Sequence, residues 1–594
     1  MTVSSVISPP ARDAADWLKR QLPVRARLSC DSRRIAAGDV FIAYPGENGD
    51  GRDHLEQALD AGAAAIVLEK AGAEHFEAVL KRAAAPWLPV EGLRRRAGEV
   101  AAAYLDEPTR DLTVVAVTGT NGKTSCTHWI AQGYDNRAGA DADTSDTAKA
   151  AVIGTLGAGV PGQLGLEPDG QPALTTPDAI GLQQQFAAFV GQGMELVAVE
   201  ASSIGLQQGR LNGTRISVAV LTNLTRDHLD YHVTMQAYAA AKARLFAWPT
   251  LVAMVVNLED PASAEMLNAA DPDLRRIDYL VNDRTSAGGG PVGGSADAAR
   301  EASGGAGMTG LEAADLESLL AEAGERSESC SDLLTATPID ARGRIVLTHF
   351  RAASDIGAGE ESAGSAESID LQLSLIGRFN QSNALAVAGV WLSLGWSLAD
   401  IAAQLERLRP VPGRVQMVGD PSDEALPLAV VDYAHTPDAI VNALGALRPL
   451  TASRGGRLWC VFGAGGNRDA GKRAPMAFAA QEHADVLVLT SDNPRDEKPE
   501  SILLQLRDGL SRAPHRIEPD RAIAIAGAVR EADAADVILI AGKGHELYQE
   551  IAGARLAFSD VEHADAALQA RAESQAAVED NGSAEGGTAE GGHV

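Results

Sequence analysis

The chain has 594 residues, 45% hydrophobic and 22% charged, with a formal net charge of −29. That length calls for roughly three or four domains, and the acidity excludes nucleic acid as the main partner, because phosphate binding needs a basic face. Cys30, Cys126, Cys330 and Cys460 lack metal-ligand spacing and read as reduced thiols of a cytoplasmic protein; with no signal-peptide pattern and no apolar run of about 18 residues, no membrane insertion is expected.

Up to about Pro108, Gly38–Ala43 and Ala64–Leu68 read as short strands, separated by the turn-rich Pro45–Gly51 and a helix through Ala58. That alternation predicts a small α/β domain over 1–108 with no evident chemistry of its own.

The next stretch organises the rest. Val114-Val-Ala-Val117 is an apolar, β-branched run that predicts a buried parallel strand. Gly119-Thr120-Asn121-Gly122-Lys123-Thr124-Ser125 breaks it, and a helix resumes. Strand, glycine loop, Lys-Thr and helix make a phosphate cradle. The glycines let backbone N–H groups approach, the helix start adds positive potential, Lys123 places a cation, and Thr124 offers an oxygen to Mg²⁺. Val117 stands where the common phosphate-loop pattern has its outer glycine.

A central domain over 109–408 follows. Residues around 134–150 lack apolar periodicity and predict a loop insertion. The strand ending in Glu200 places a carboxylate where it needs a cation or hydrogen bonds, and with Thr124 it suits Mg²⁺. His228 lies in Asp-His-Leu-Asp-Tyr-His, which lacks a convincing set of three zinc ligands. Lys242, read alone, is a helix-surface lysine. Stretches near 284–308 and 354–368, dominated by Gly, Ala, Ser and acids, predict flexible excursions. A third α/β domain over 409–571 has strands at 428–432, 458–462, 486–489 and 537–540. Residues 572–594 hold no Lys or Arg and predict a disordered acidic tail.

The ordered motifs TGTNGKTS (118–125), LTTPD (174–178), EASS (200–203), TNLTRDHLDYH (222–232), GRFNQSN (377–383), VPGR (411–414), DYAHTPD (432–438), GNRDAGKR (466–473), DNPR (492–495) and AGKGHE (541–546) resemble those of the Mur ligases, over nearly the whole chain. The resemblance implies three α/β domains: a small N-terminal substrate domain, a central P-loop ATPase-like parallel sheet and a C-terminal Rossmann-like domain. It is nearest to the members that add the third residue of the peptidoglycan stem peptide. The implied reaction joins meso-diaminopimelate to UDP-MurNAc-L-Ala-D-Glu at the expense of ATP, through an acyl phosphate, in a cytoplasmic monomer.

The family pattern implies catalytic roles for Lys123, Glu200, His228 and Lys242. Thr124 and Glu200 match one Mg²⁺ site; His228 and a carbamylated Lys242 match a second. The loop 119–125 with Asn380, Arg414 and Asp432 matches the ATP contacts. Cys30, Ser32, Glu47, Asn48 and Gly49 match the uridine end, and Thr175, Thr176, Ser202, Gln208 and Arg210 the muramoyl dipeptide. Ile204 departs from the pattern, which often has histidine there. Arg468, Asp492, Asn493, Pro494, Arg495, Gly542 and Glu546 match the diaminopimelate pocket, with Arg495 on the distal carboxylate. Alternatives are an L-lysine-adding ligase, a folylpolyglutamate synthetase-like ligase and a non-catalytic ATP-binding scaffold.

Overall fold

The computed structural model describes residues 6–22, 24–47, 49–139, 148–165, 174–282, 331–339, 343–351, 366–420 and 423–585. Asn48, the 284–308 stretch and residues 354–365 lie outside them.

The N-terminal unit is a parallel sheet with Leu28–Ser29, Val40–Ala43, Ala65–Glu69 and Trp87–Val90 side by side in chain order. The central unit carries an 11-stranded sheet. Its parallel core runs in the order Ala150–Gly154, Leu196–Glu200, Thr113–Thr118, Val218–Leu221, Ala253–Asn257, Arg275–Val281, Ser331–Pro338. Both edges add antiparallel strands, Gly157–Val160 with Gln163–Gly165 on one side and Arg344–Phe350 with Ala366–Gln372 on the other. The sheet is therefore mixed at its margins, where the sequence predicts a parallel one.

Thr113–Thr118 lies in the middle because both of its faces are apolar. Val115 and Val117 enter the core on one face, Val114 and Ala116 the core on the other, and none of the four is exposed to solvent. The strand register sets the site. Val117 pairs with Glu200 and Thr118 with Leu221, so the loop after Thr118, the carboxylate of Glu200 and the Thr222–Asn223 turn emerge at one sheet edge.

The third unit is a six-stranded sheet whose parallel strands Leu428–Asp432, Val537–Ala541, Leu458–Phe462 and Val486–Leu489 are neighbours in that order. Asp432 and Phe462 both pair with Ala541, and Phe462 with Leu489, which gathers the loops starting at Gly463, Thr490 and Gly542.

Three expectations are corrected. The helix after the phosphate loop runs Lys123–Arg137, and a strand starts at Ala150, so the predicted insertion at 134–150 is ordered at both ends. Asp135 explains this: its carboxylate accepts from the backbone N–H of Lys149 (2.7 Å) and Ala150 (2.9 Å), tying helix to strand. Residues 366–368 belong to the edge strand Ala366–Gln372, where Leu371 packs into the core. The C-terminal helix Asp560–Glu585 continues past Arg571, because its alanines and glutamates favour helix and Arg571 Nη1 bonds the carbonyl of Val529 (2.6 Å).

Candidate functional site

Gly119 has φ of 147° and Gly122 φ of 86°, values that disfavour any side chain. A Cβ on Gly119 would collide with Thr222 Oγ1, and one on Gly122 with Asn383 Oδ1. Asn121 is fixed by Asn223, which accepts its N–H at 2.9 Å, while its carbonyl takes Thr222 Oγ1 at 2.6 Å and Asn223 Nδ2 at 3.1 Å. Thr120 Oγ1 meets Tyr238 OH at 3.1 Å and donates to the Thr225 carbonyl at 3.1 Å. Thr124 and Ser125 are buried at the helix start. The loop is thus a rigid backbone concavity ahead of a 15-residue helix, the arrangement that holds an anion.

Two lysines crowd it. Lys123 Nζ donates to the carbonyls of Gly119 (2.9 Å) and Thr120 (2.8 Å), and Lys242 Nζ to the same Gly119 carbonyl (2.7 Å). Lys242 is 1% exposed, which corrects its reading as a surface lysine; the helix Met235–Ala243 turns it inward, over the Tyr238 ring at 4.6 Å. Burial first, then the Lys123 cation, pushes its pKa well below the ordinary lysine value, against Asp227. Burial lowers Lys123 too, against the pull of Glu200 and Asp227. Both therefore favour the neutral amine more than a free lysine does.

Glu200, 1% exposed, accepts from Thr155 N–H (2.9 Å) and Thr155 Oγ1 (3.1 Å). His228 sits in the left-handed region (φ 53°), with Nε2 3.6 Å from Asp227. Its surroundings and the cations Lys123 and Lys242 lower the imidazole below its ordinary value, although Asp227 opposes them. Among the described residues no three His, Cys, Asp or Glu side chains form a metal cluster. The oxygens of Thr124 and Glu200 suit a divalent cation that takes its remaining ligands from phosphate and water. An unmodified Lys242, an acceptor-poor cation when protonated, does not suit one.

Of the remaining nucleotide candidates, Arg414 reaches across from the third unit to Thr124 Oγ1 (3.1 Å) and lies over the Tyr433 ring (4.5 Å). Asp432 spends its two oxygens on the N–H groups of Val415 and Ala434, both at 2.8 Å. Asn380 is buried, with its amide bonded to Ile376 O (2.8 Å); Asn383, one turn on, is the asparagine that meets the phosphate loop.

Cys30 and Ser32 line a cavity of about 550 Å³ with Asp31, Arg33, His54 and Gln57. Glu47 bridges to the central unit, accepting from Arg94 (3.0 Å) and Tyr231 OH (2.8 Å), and Gly49 accepts from Gly46 N–H at 2.7 Å. Thr176 Oγ1 donates to Glu200 O (2.7 Å) and meets Ser202 Oγ (2.9 Å); Thr175 meets Thr155 (3.1 Å). Arg210 binds Thr176 O (2.7 Å) and Gln208 Oε1 (2.8 Å), and Gln208 reaches Tyr231 OH (3.3 Å). The dipeptide candidates therefore adjoin Glu200 directly.

The C-terminal candidates form a second cluster. Asn493 Nδ2 donates to Glu546 Oε2 (2.8 Å), and Asp492 Oδ1 takes Asn493 N–H (2.6 Å). A Cβ on Gly542 (φ 118°) would press to 2.6 Å from Asp492 Oδ2. Pro494 precedes Arg495, whose backbone is left-handed (φ 52°) and is held by Glu550 O (2.9 Å) and Ala552 N–H (2.7 Å). The Arg495 guanidinium bonds Gly466 O (2.8 Å) and lies 3.5 Å from Glu550. Arg468 stands exposed on the neighbouring loop.

Sequence reasoning missed the residues that join these clusters. His435 Nε2 lies 3.8 Å from Asp227, and Arg226 3.8 Å from Asp469, so the loop carrying His228 is gripped by the third unit as well as by Glu47. Burial works to raise the Asp227 carboxyl, yet His435, His228 and Lys472 hold it well below the usual range. Arg521 and Asp560, both fully buried, make two bonds of 2.7 Å, and Arg521 also holds Ser491 O and Ala541 O, bracing the strand ends under Asp492 and Gly542. Sequence carries no signal for that pair, since 39 residues separate its members.

A phosphate cradle in one α/β unit, bridged to a charged pocket in another, suits an ATP-dependent ligase. Residues 117–287 match the Mur ligase middle domain, 413–544 the Mur ligase glutamate ligase domain, and 26–105 the Mur ligase family catalytic domain. A protein of Acidovorax sp. (strain JS42) named UDP-N-acetylmuramoyl-L-alanyl-D-glutamate–2,6-diaminopimelate ligase is 42% identical over 94% of this chain and 97% of its own. One of the same name from Pseudomonas aeruginosa is 40% identical over 93% and 96%. A solved structure of a ligase of that name aligns with a TM-score of 0.55 at 32% identity, covering 92% of this chain and 95% of its own. The chain belongs to the Mur ligase family.

Proposed function

We propose that this enzyme joins meso-diaminopimelate to the D-glutamyl carboxylate of UDP-MurNAc-L-Ala-D-Glu, with ATP converted to ADP and phosphate, in the cytoplasm and as a monomer. One observation carries the reading. Relatives named for this reaction match from the first unit through the third, so nucleotide, dipeptide and amino-acid regions are matched together. Among the described residues no helix is long and apolar enough to cross a membrane.

The loop amides of 119–125 hold the ATP phosphates, with Arg414 beside Thr124 and Asn380 and Asp432 toward base and ribose. Lys123 turns from the Gly119 and Thr120 carbonyls to the transferring phosphoryl group, whose charge it stabilises. Arg210, Gln208, Ser202, Thr175 and Thr176 hold the dipeptide next to Glu200, while Cys30, Ser32, Glu47, Asn48 and Gly49 hold the uridine end. The D-glutamyl carboxylate oxygen bonds the γ-phosphorus as the bond to ADP breaks. The amine held by the C-terminal pocket then bonds the acyl carbon, loses a proton and expels inorganic phosphate. Thr124 and Glu200 would hold Mg²⁺, which when bound neutralises phosphate charge. Lys242, driven toward the neutral amine, is the form that takes up CO₂ as a carbamate, and with His228 it would supply a second oxygen-and-nitrogen site.

ADP release in the presence of the UDP-muramoyl dipeptide tests this: it is expected with meso-diaminopimelate and not without an amino acid. Release with a folate acceptor, or ATP binding without turnover, would overturn it.

A further inference from the structure

Lys543 lies behind the amino-acid pocket and has no role in the reading above, on which this inference rests. It is 0% exposed. Its ammonium donates to Asn493 Oδ1 (3.1 Å) and Glu546 Oε2 (2.9 Å) and lies 5.5 Å from the Tyr548 ring centre. Those two acceptors are the residues placed around the incoming amino acid.

The hydrogen-bond inventory shows what the ammonium does. Asn493 Oδ1 also takes the N–H of Glu550 (2.9 Å), so two donors fix the oxygen end of this amide. Its Nδ2 must then face Glu546, where it donates at 2.8 Å. Glu546 Oε2 thus takes both bonds, and among the described residues none falls on Oε1. The result is a carboxylate locked in place with one oxygen unused. A carboxylate oxygen left free in this way is an acceptor for an ammonium group. Without Lys543 the amide loses one of the two donors that orient it, and Glu546 loses the buried partner that holds its Oε2 in place.

We propose that Lys543 is a positioning residue that fixes Asn493 and Glu546, and thereby sets the pocket's selection for an amino acid with a second ammonium group, the one not joined in the reaction.

The test compares meso-diaminopimelate with 2-aminopimelate, which keeps both carboxylates and the reacting amine and lacks the second. Wild type is expected to favour meso-diaminopimelate by tenfold or more, as the loss of about one charge-assisted hydrogen bond predicts. Lys543→Met should raise KM for meso-diaminopimelate about tenfold or more, leave KM for ATP and the dipeptide within about twofold, and collapse the preference over 2-aminopimelate. In a Glu546→Gln background the same change should add little, because both act through one carboxylate. Lys543→Gln, which keeps a donor in place without the charge, carries the same comparison should the methionine variant not fold. An unchanged preference with equal losses on both amino acids, or losses that add in the double variant, would overturn the positioning role. Absence of ligation by the wild type would instead overturn the reaction assigned above.

Discussion

The phosphate loop and the proposed amino-acid pocket are both loops at the ends of parallel strands, yet their charges are arranged differently. At the loop, Lys123 and Lys242 turn two amino groups to one carbonyl, that of Gly119. In and beside the pocket, Lys543 meets Glu546, Arg495 lies by Glu550, and Arg473, which also bonds Gly465 O, is locked to Glu497. Two buried amines on one neutral acceptor disfavour protonation until an anion arrives, so the loop is built to be completed by phosphate. Most of the pocket's charged groups are already paired before any ligand enters, which suits a site proposed to discriminate.

Removing the lysines from the loop should therefore have the largest consequence for turnover. Lys123→Ala and Lys242→Ala are each expected to lower kcat on the order of a hundredfold to a thousandfold, the range for losing one charge-stabilising group. They should differ in rescue. A short carboxylate at high concentration is expected to restore part of the Lys242→Ala rate, replacing a carbamate oxygen, and none of the Lys123→Ala rate. Near-normal turnover of Lys242→Ala would remove the carbamate from the scheme.

The pocket's contrast rests on Arg495. Diaminopimelate carries a distal carboxylate that lysine lacks, and a guanidinium can hold it with two charge-assisted bonds of roughly 1.5–3 kcal/mol each. A preference over lysine of about a hundredfold to ten-thousandfold is expected, and Arg495→Ala should abolish it. The structure gives a competing role, since Arg495 Nη1 already braces Gly466 O. Equal wild-type kcat/KM for the two amino acids would leave the brace as the arginine's role.

How much of this was legible depended on whether a feature is local. The strand-loop-helix of Val114–Ile130 announces itself because β-branched burial, two glycines and a lysine fall within a few residues. Glu200 was legible for a similar reason, as a charge closing an apolar run. Lys242 was not, because Ala239, Ala241 and Ala243 around it give no amphipathic face, and only Tyr238 and the packing of the Met235–Ala243 helix against the loop bury it. Pairings across long separations, such as Asp227 with His435 or Arg521 with Asp560, left no pattern. Asp135 turned a polar stretch into an ordered connection by capping two distant N–H groups, and low periodicity does not report that.

An acid titration sharpens the claim that the pocket is prepaired. Glu497 accepts from Arg473 at 2.8 and 2.9 Å and from Asn467 N–H at 2.6 Å, and the Arg473 bonds, then the Asn467 bond, hold its carboxyl down at about 2. The unfolded chain binds the proton more tightly, so the contribution is complete above the ordinary glutamate value and fades as pH falls toward 2. With Glu497 partly open to solvent, we expect Glu497→Gln to cost on the order of 1–2 kcal/mol at pH 7, less than the full linkage. The gap to wild type in urea midpoint should close below about pH 4. A gap independent of pH would assign the cost to lost packing instead.

The smallest effect is expected farthest from both sites, at the C-terminal helix. Its first part is held: Asp560 pairs with buried Arg521, Ala564 and Leu568 are in the core, and Arg571 bonds Val529 O. From Glu573 through Ala576 the residues are exposed, with Ser574 bonding only one turn back and Gln575 reaching Ala425 O at 3.5 Å. An exposed helical extension of that kind gains little from its own hydrogen bonds, which water replaces. Ending the chain after Ala572 should thus change stability by no more than about 0.5 kcal/mol and leave kcat/KM for each substrate unaltered. Arg571→Ala, which removes the bond to Val529 O, should cost about 1 kcal/mol. If the truncation instead lowered Tm by several degrees while Arg571→Ala did not, the distal helix would be docked on the fold beyond Arg571, and the anchor would lie there.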